Sequence, residues 1–287
     1  MKFLCFSILL LGAAVVLPAA QRYQGRGLVL KVDERERSVT ISEESIPGFM
    51  DAMVMSYRAG EGQDLHGLKS GDMVEFTLTI ENTMTSISSI RVIAWDSVER
   101  EPLEARSLAI LQSTLDGTNN LSRGPAIGQR IPDFTLTDQT TKRVSMSSFS
   151  GKVVAITFVY TRCPLPDYCL RLSNNFGRLQ KRFSERMGSD LVLLSITFDP
   201  AHDTPEVLAR YGEIWKADPR GWHLLTGSVN QVKRVSTELG SNFWPDEGTF
   251  THSLHTLVID RQGKLVANIE GNRFTAEELG DLIQTLF

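Results

Sequence analysis

Two adjoining stretches decide the fold of the C-terminal half: Val153-Val-Ala-Ile-Thr-Phe-Val-Tyr160 and Thr161-Arg-Cys-Pro-Leu-Pro-Asp-Tyr-Cys-Leu170. The first is a nearly continuous apolar run, which is typical of a strand whose two faces are both covered. Beyond the second, Leu172, Phe176 and Leu179 recur at spacings of four and three, which predicts a helix. Two cysteines therefore lie between a central strand and a helix.

The alternation of strand and helix continues to the C-terminus and predicts an α/β domain over residues 124–287. Thr275 followed by Glu278 predicts a capped last helix. The remaining predictions are a strand at 191–198, a helix at 205–215, a hairpin of 254–259 with 265–269, and the last helix at 275–287.

The N-terminal half has a different pattern, in which apolar residues alternate in short bursts such as Val74, Phe76 and Leu78. Turn-like breaks at 33–37, 60–62 and 70–72 separate the bursts. This pattern predicts about five strands and a small all-β barrel over 21–95. The charged and polar residues 96–123 are interpreted as a linker to the α/β domain.

Residues 1–20 have the pattern of a signal peptide: Lys2, an apolar run, and small residues at the end. The apolar run is short for a membrane span, although an uncleaved anchor is the alternative. Cys5 is expected to leave with the peptide, so Cys163 and Cys169 remain in an exported protein. We therefore predict a periplasmic protein, membrane-anchored if the signal is retained.

Composition excludes several classes of protein. With 287 residues and 41% hydrophobic content the chain is globular, and its length favours two domains. The formal net charge of −4, or −5 once Lys2 is removed, disfavours a nucleic-acid partner. Three cysteines are too few for a disulfide scaffold.

Cys163 and Cys169 precede a predicted helix, a position that suits reactive or metal-binding cysteines. A helix N-terminus near the sulfurs favours thiolate over thiol, and thiolates form disulfides or bind soft metal ions. A purely structural disulfide is the alternative, but the loop that it would close is short. Redox motifs usually have two or three residues between the cysteines, whereas Cys163 and Cys169 are separated by five.

The C-terminal half resembles the Sco/SenC family over nearly all of residues 125–287. That resemblance implies a thioredoxin-like fold, copper bound by two cysteines and a later histidine, and delivery of copper to cytochrome c oxidase. The family usually has three residues between its cysteines, so the spacing here is a departure. The matching segments are Pro125-Ala-Ile-Gly-Gln-Arg-Ile-Pro-Asp-Phe-Thr-Leu136, Thr157-Phe-Val-Tyr-Thr-Arg-Cys-Pro164, Asp199-Pro-Ala-His-Asp-Thr-Pro205 and Gly221-Trp-His-Leu-Leu-Thr-Gly227.

The resemblance implies His252 as the third copper ligand, since His252-Ser-Leu-His-Thr-Leu-Val-Ile-Asp260 matches a family histidine followed by a strand. On one strand His252 and His255 would point to opposite faces, so only one is expected to reach the metal. Two thiolates and an imidazole suit Cu(I) and tolerate Cu(II), and the same ligands can also bind zinc. Asp199 and Asp203 are interpreted as helix-capping residues, and Asp199, at the end of a central strand, is alternatively a residue that supports the ligands.

Three methionines, Met50, Met53 and Met55, lie within six positions of the barrel. Thioether sulfur suits Cu(I), although methionines also fill the cores of small barrels. Residues 27–76 resemble the CusF-like periplasmic copper-binding domain, an OB-type barrel that binds Cu(I) through a histidine and two methionines. Met53 and Met55 match the methionines, Glu43 stands at the histidine position, and Met50 is a candidate third sulfur ligand.

The two halves together predict a copper chaperone whose barrel captures Cu(I) and whose thioredoxin-like domain delivers it. The expected partners are a copper-bearing subunit of cytochrome c oxidase, or another periplasmic cuproprotein, and a thiol reductant. The alternative is a thiol-disulfide oxidoreductase in which Cys163 attacks and Cys169 resolves. A peroxidase is disfavoured because no activating arginine can be assigned.

Overall fold

The computed structural model describes residues 20–81, 84–93, 124–164, 166–241, 243–246 and 249–287. The predicted signal peptide, apart from Ala20, and the predicted linker lie outside the described residues. Within the described ranges, no helix is both long and apolar enough to cross a membrane.

The N-terminal half is a closed five-stranded barrel, which confirms the prediction. The strands are β1 (Gln21–Asp33), β2 (Ser38–Glu43), β3 (Met53–Ala59), β4 (Met73–Glu81) and β5 (Met84–Val92). They follow the order β1–β2–β3–β5–β4 around the barrel. Inward-facing residues such as Val39, Ile41 and Tyr57 fill it and are almost fully buried.

The C-terminal half is built on a seven-stranded sheet, which confirms the α/β thioredoxin-like prediction. The strands of this half are β6 (Thr135–Asp138), β7 (Arg143–Ser145), β8 (Val153–Val159), β9 (Leu191–Thr197), β10 (Trp222–Thr226), β11 (Phe243–Asp246), β12 (Thr249–His252), β13 (His255–Ile259) and β14 (Leu265–Glu270). The sheet has the order β14–β13–β8–β9–β10–β6–β7, with parallel β8, β9 and β10 at the centre. Every residue of β8 and β9 is buried, as the apolar runs predict. β11 and β12 form a separate two-stranded ribbon.

Four α-helices are found in the described part of this half: α1 (Arg171–Arg182), α2 (Pro205–Trp215), α3 (Val229–Glu238) and α4 (Ala276–Gln284). The predicted capping box at Thr275 and Glu278 is present at the start of α4. α2 begins after Thr204, whose hydroxyl accepts a hydrogen bond from Val207 N. The interpretation of Asp203 as the cap of this helix was therefore wrong.

The barrel packs directly on the outer part of the α/β domain. Leu28, Leu30 and Met73 belong to the same buried apolar cluster as the sheet residues. Ser42 Oγ donates a hydrogen bond of 2.7 Å to Asp281 Oδ2 on α4. Buried apolar contact and a partly buried hydrogen bond thus join the two halves.

The two halves approach each other closely at Gly71, whose φ is +94°. A Cβ on residue 71 would lie 2.8 Å from the Cβ of Ala267 in β14. Glycine is required here both for its left-handed backbone and for the space between the two halves.

We expect Gly71→Ala to lower the free energy of unfolding by about 1–3 kcal/mol more than Gly62→Ala does. Gly62 also has a positive φ, but a Cβ there would have no other atom within 4 Å. The control therefore reproduces the backbone strain without the crowding. Urea denaturation measures the difference, and equal effects would show that the two halves do not press together at Gly71.

Candidate metal sites

The cysteine loop lies at the carboxyl edge of the central strands, where α/β proteins commonly place their binding sites. It follows β8 and passes through Cys163 to a π-helical turn at Pro166–Leu170, which leads into α1. π-helical turns are rare and occur frequently at functional sites. Part of the unusual five-residue spacing is therefore accommodated in an irregular turn that carries Cys169.

The two sulfur atoms are neighbours, and both are thiols. Cys163 is partly buried, whereas Cys169 is buried. A hydrogen bond to Cys163 and burial raise the pKa of the Cys169 thiol well above its usual value, while backbone hydrogen bonds at Tyr160 and Cys169 act in the opposite direction. The expectation that the helix N-terminus favours thiolate was therefore wrong for Cys169.

Tyr211 of α2 lies close to this pair. Its hydroxyl is hydrogen-bonded to Ser173 Oγ at 2.8 Å. Burial raises the pKa of Tyr211 to about 12, and the charges of Cys169 and Cys163 act in the same direction. A buried phenol on α2 thus lies within electrostatic range of the sulfurs.

We expect Cys163 to be alkylated by iodoacetamide before Cys169 in the metal-free protein. Thiolate is the reactive form, so the raised pKa and burial of Cys169 both slow its reaction at neutral pH. Raising the pH should increase its rate. Peptide mass spectrometry at timed intervals measures the order, with Cys163→Ser as the control in which Cys169 reacts alone. Faster labelling of Cys169 at pH 7 would contradict the described geometry.

Buried acids hold the N-terminal side of the cysteine loop. Asp203 accepts hydrogen bonds from Thr161 N at 3.1 Å and from Thr161 Oγ1 at 2.5 Å. It also accepts one from Thr197 Oγ1 at 2.5 Å, which ties the loop to the end of β9. Buried Asp199 forms an ion pair of 2.6 Å with Arg162, the residue before Cys163. Asp199 therefore supports the loop through Arg162.

Asp199, His202 and Asp203 place possible ligand atoms within 4.8 Å of one another. The Asp203 oxygens accept the threonine hydrogen bonds, and Asp203 Oδ1 lies 3.0 Å from His202 Nδ1. Asp199 Oδ2 is engaged by Arg162. We therefore interpret this cluster as the anchor of the cysteine loop rather than as a metal site.

The two candidate histidines lie on different strands, which corrects the expectation of one shared strand. β12 ends at His252, and β13 begins at His255. His255 Nδ1 lies 2.9 Å from Asn268 Oδ1, and burial lowers the pKa of its imidazole. His255 is thus engaged within the sheet. Since β13 runs antiparallel to β8 and pairs Thr256 with Thr157, the backbone that precedes β13 approaches the carboxyl end of β8.

The barrel places its methionines as the sequence predicts. Met53 and Met55 alternate on β3 and share a face with buried Tyr57, while Met50 precedes the strand. Met50 and Met55 pack against the barrel core, whereas Met53 is 46% exposed. The cluster therefore extends from the core to the surface.

Glu43 lies on the strand next to these methionines. It is paired with Met53 across β2 and β3, and its Oε2 accepts a hydrogen bond of 2.5 Å from the Tyr57 hydroxyl. Burial raises the pKa of Glu43, although the bond from Tyr57 acts in the opposite direction. An acid thus occupies the position at which the resemblance implies a histidine.

The described geometry agrees with comparisons against known families. The model of the SCO1/SenC family matches residues 125–287, more than half of the chain. The chain belongs to the SCO1/SenC family. A second model, described as copper binding periplasmic protein CusF, matches residues 22–92. Both resemblances noted in the sequence are confirmed, and copper is the metal that they support.

We refer to residues 125–287 as the Sco domain. Individual relatives match about half of the chain. A protein of Stutzerimonas stutzeri named for copper binding is 32% identical over 144 residues, which are 48% of this chain and 68% of that protein. Protein sco1 of Schizosaccharomyces pombe is 30% identical over 162 residues, 54% of this chain and 59% of that protein. The crystal structure of a SCO1/SenC family lipoprotein from Bacillus anthracis has a TM-score of 0.50 and 26% identity, and the match covers 55% of this chain and 95% of the lipoprotein.

Sequence reasoning missed several residues that shape the Sco site. Thr161 and Asp203 both stand in the segments that carry the family resemblance, yet their mutual hydrogen bonds join parts of the chain that are 42 residues apart. In the sequence, Tyr211 is only one residue of a predicted helix. The alternation of strand and helix could have indicated that α2 returns beside the cysteines, but not which side chain would face them.

Proposed function

We propose that the chain is a periplasmic copper chaperone in which Cys163, Cys169 and His252 bind copper for delivery to a cuproenzyme. The observation that carries this proposal is the adjacent sulfur pair at the end of β8. His252 stands three residues before the start of β13, the strand that pairs with β8. Two sulfurs and an imidazole form a soft donor set that suits Cu(I) and tolerates Cu(II).

The barrel is proposed to capture Cu(I) and pass it to the Sco domain. Its support is the combination of clustered methionines with a match to a copper-binding family. The packing of Leu28 and Met73 into the cluster of the Sco domain also supports a cooperation of the two halves within one chain. Transfer from thioethers to thiolates would move copper toward the stronger soft ligands.

The proposed recipient is the copper-bearing subunit of cytochrome c oxidase or another periplasmic cuproprotein. This step follows from the family resemblance, and the predicted signal peptide supports export. A thiol reductant would keep Cys163 and Cys169 reduced, since a disulfide removes both thiolate ligands.

A thiol-disulfide oxidoreductase is the second candidate. The observation that favours it is the contrast between partly exposed Cys163 and buried Cys169. Cys163 thiolate would attack a partner disulfide and release one partner thiolate, and Cys169 would then displace the second as the Cys163–Cys169 disulfide forms. This reaction needs no histidine ligand.

We expect Cys163→Ala, Cys169→Ala and His252→Ala each to reduce the copper bound by the Sco domain while the barrel retains its own copper. Loss of one ligand leaves an incomplete donor set. Anaerobic Cu(I) titration with a competing chelator measures the stoichiometry, and His66→Ala is the control because His66 is exposed in the barrel half. Unchanged binding in the cysteine variants would refute the proposed site.

His252→Ala and the unsubstituted chain together distinguish a copper chaperone from a thiol-disulfide oxidoreductase. Reduction of a small disulfide substrate should be negligible for the unsubstituted chain if it is a chaperone. Substantial turnover that His252→Ala leaves unchanged would instead support the oxidoreductase.

A further inference from the structure

Glu43 is a buried acid whose hydrogen bonding is incomplete. Its side chain is only 2% exposed, and Tyr57 donates to one of its oxygens, Oε2. The other oxygen, Oε1, is buried and has no hydrogen-bond partner among the described residues. Burial of a carboxylate oxygen without a partner costs free energy, so Oε1 would gain from a hydrogen-bond donor or a bound cation as its partner.

The surroundings of Glu43 indicate the nature of that partner. In the register of β2 and β3, Glu43 is opposite Met53 and Ile41 is opposite Met55. Directly opposed residues project from the same side of a sheet, so Glu43 lies on the inner face that carries both methionines. The exposure of Met53 gives this end of the barrel access to solvent.

We propose that Glu43 is a copper ligand of the barrel and binds Cu(I) together with Met53 and Met55. This inference rests on the proposed function, because it assumes that copper is the cargo of the barrel. Thioethers are neutral and leave the charge of a bound monocation uncompensated, whereas the ionised form of Glu43 would supply one negative charge within the buried site. Tyr57 donates to Oε2, so Oε1 is the oxygen that would be available to the metal.

The proposed ligands of the barrel also predict the direction in which Cu(I) moves between the two halves. A carboxylate is a harder ligand than imidazole or thiolate and binds Cu(I) less strongly. The barrel would therefore hold copper more weakly than the cysteine pair of the same chain. Capture in the barrel and release to the Sco domain follow from this order of affinities.

The test uses the full chain with Cys163→Ser and Cys169→Ser, so that the barrel dominates Cu(I) binding. In this background, Glu43→Gln preserves size and the acceptor for Tyr57 but removes the charge. We expect it to weaken Cu(I) binding at least about tenfold in a chelator competition. Glu75→Gln is the control, since Glu75 carries the same charge on β4 and pairs with Arg91 at the surface.

X-ray absorption spectroscopy of the Cu(I) form supplies a second readout. Sulfur together with one oxygen or nitrogen scatterer is expected, and Glu43→His should restore binding with the signature of an imidazole. A sulfur-only site with Met50 as third ligand, and unchanged affinity in Glu43→Gln, would overturn the role of Glu43 while leaving the barrel a copper site. Absence of Cu(I) binding in the unsubstituted barrel would refute both this role and the proposed capture step.

Discussion

The antiparallel pairing of β13 with β8 is the constraint on which the rest of the structure depends. It joins Thr157 to Thr256, whose hydroxyl oxygens lie 3.3 Å apart in the buried sheet although 99 residues separate them in the chain. The pairing brings the segment after β12 to the end of the strand that carries the cysteine loop. It also places β14 at the outer edge of the sheet, where the barrel packs. Both the candidate ligands and the interface between the halves thus follow from one strand contact.

The cysteine loop is anchored by side-chain bonds before Cys163, whereas after Cys163 it continues into a π-helical turn. Asp199 and Asp203 fix the backbone around Arg162 and Thr161 through an ion pair and hydrogen bonds. Bonds to ionised acceptors in a buried setting are among the stronger ones in proteins. On the other side, a π-helical turn carries Cys169 into the core. Three of the five residues between the cysteines lie in this turn, so the sulfurs can meet despite the longer loop.

Long periodic segments can be predicted from the sequence because burial alone determines them. β8, β9 and α2 agree closely with their predicted bounds, since each has an apolar pattern without interruption. β10 was not predicted, because His223 interrupts a run of only five residues. A signal for α3 is visible in the sequence as the capping box of Ser228 and Gln231. Short strands such as β7 carry too few residues for a periodic pattern.

The candidate site was predictable in its residue types and less so in its electrostatics. The positions of Cys163 and Cys169 follow from the strand before them, but the raised pKa of Cys169 depends on a neighbouring sulfur and on burial. The sequence shows the helix N-terminus, whose influence is short-ranged, but neither of those two effects. Likewise, the sequence shows Glu43 at a histidine position, whereas the unpartnered oxygen and the Tyr57 bond appear only in the folded barrel.

The packing of Gly71 on Ala267 determines how much of the outer strand β14 is exposed to solvent. β14 is an outer strand, and unprotected outer strands are common starting points for aggregation. Residues 128–130 bond to the beginning of β14, and the barrel covers its side chains farther along. The barrel therefore covers side chains of this outer strand, and a fragment that begins at Gly124 would expose them while keeping every cysteine and histidine of its candidate metal site.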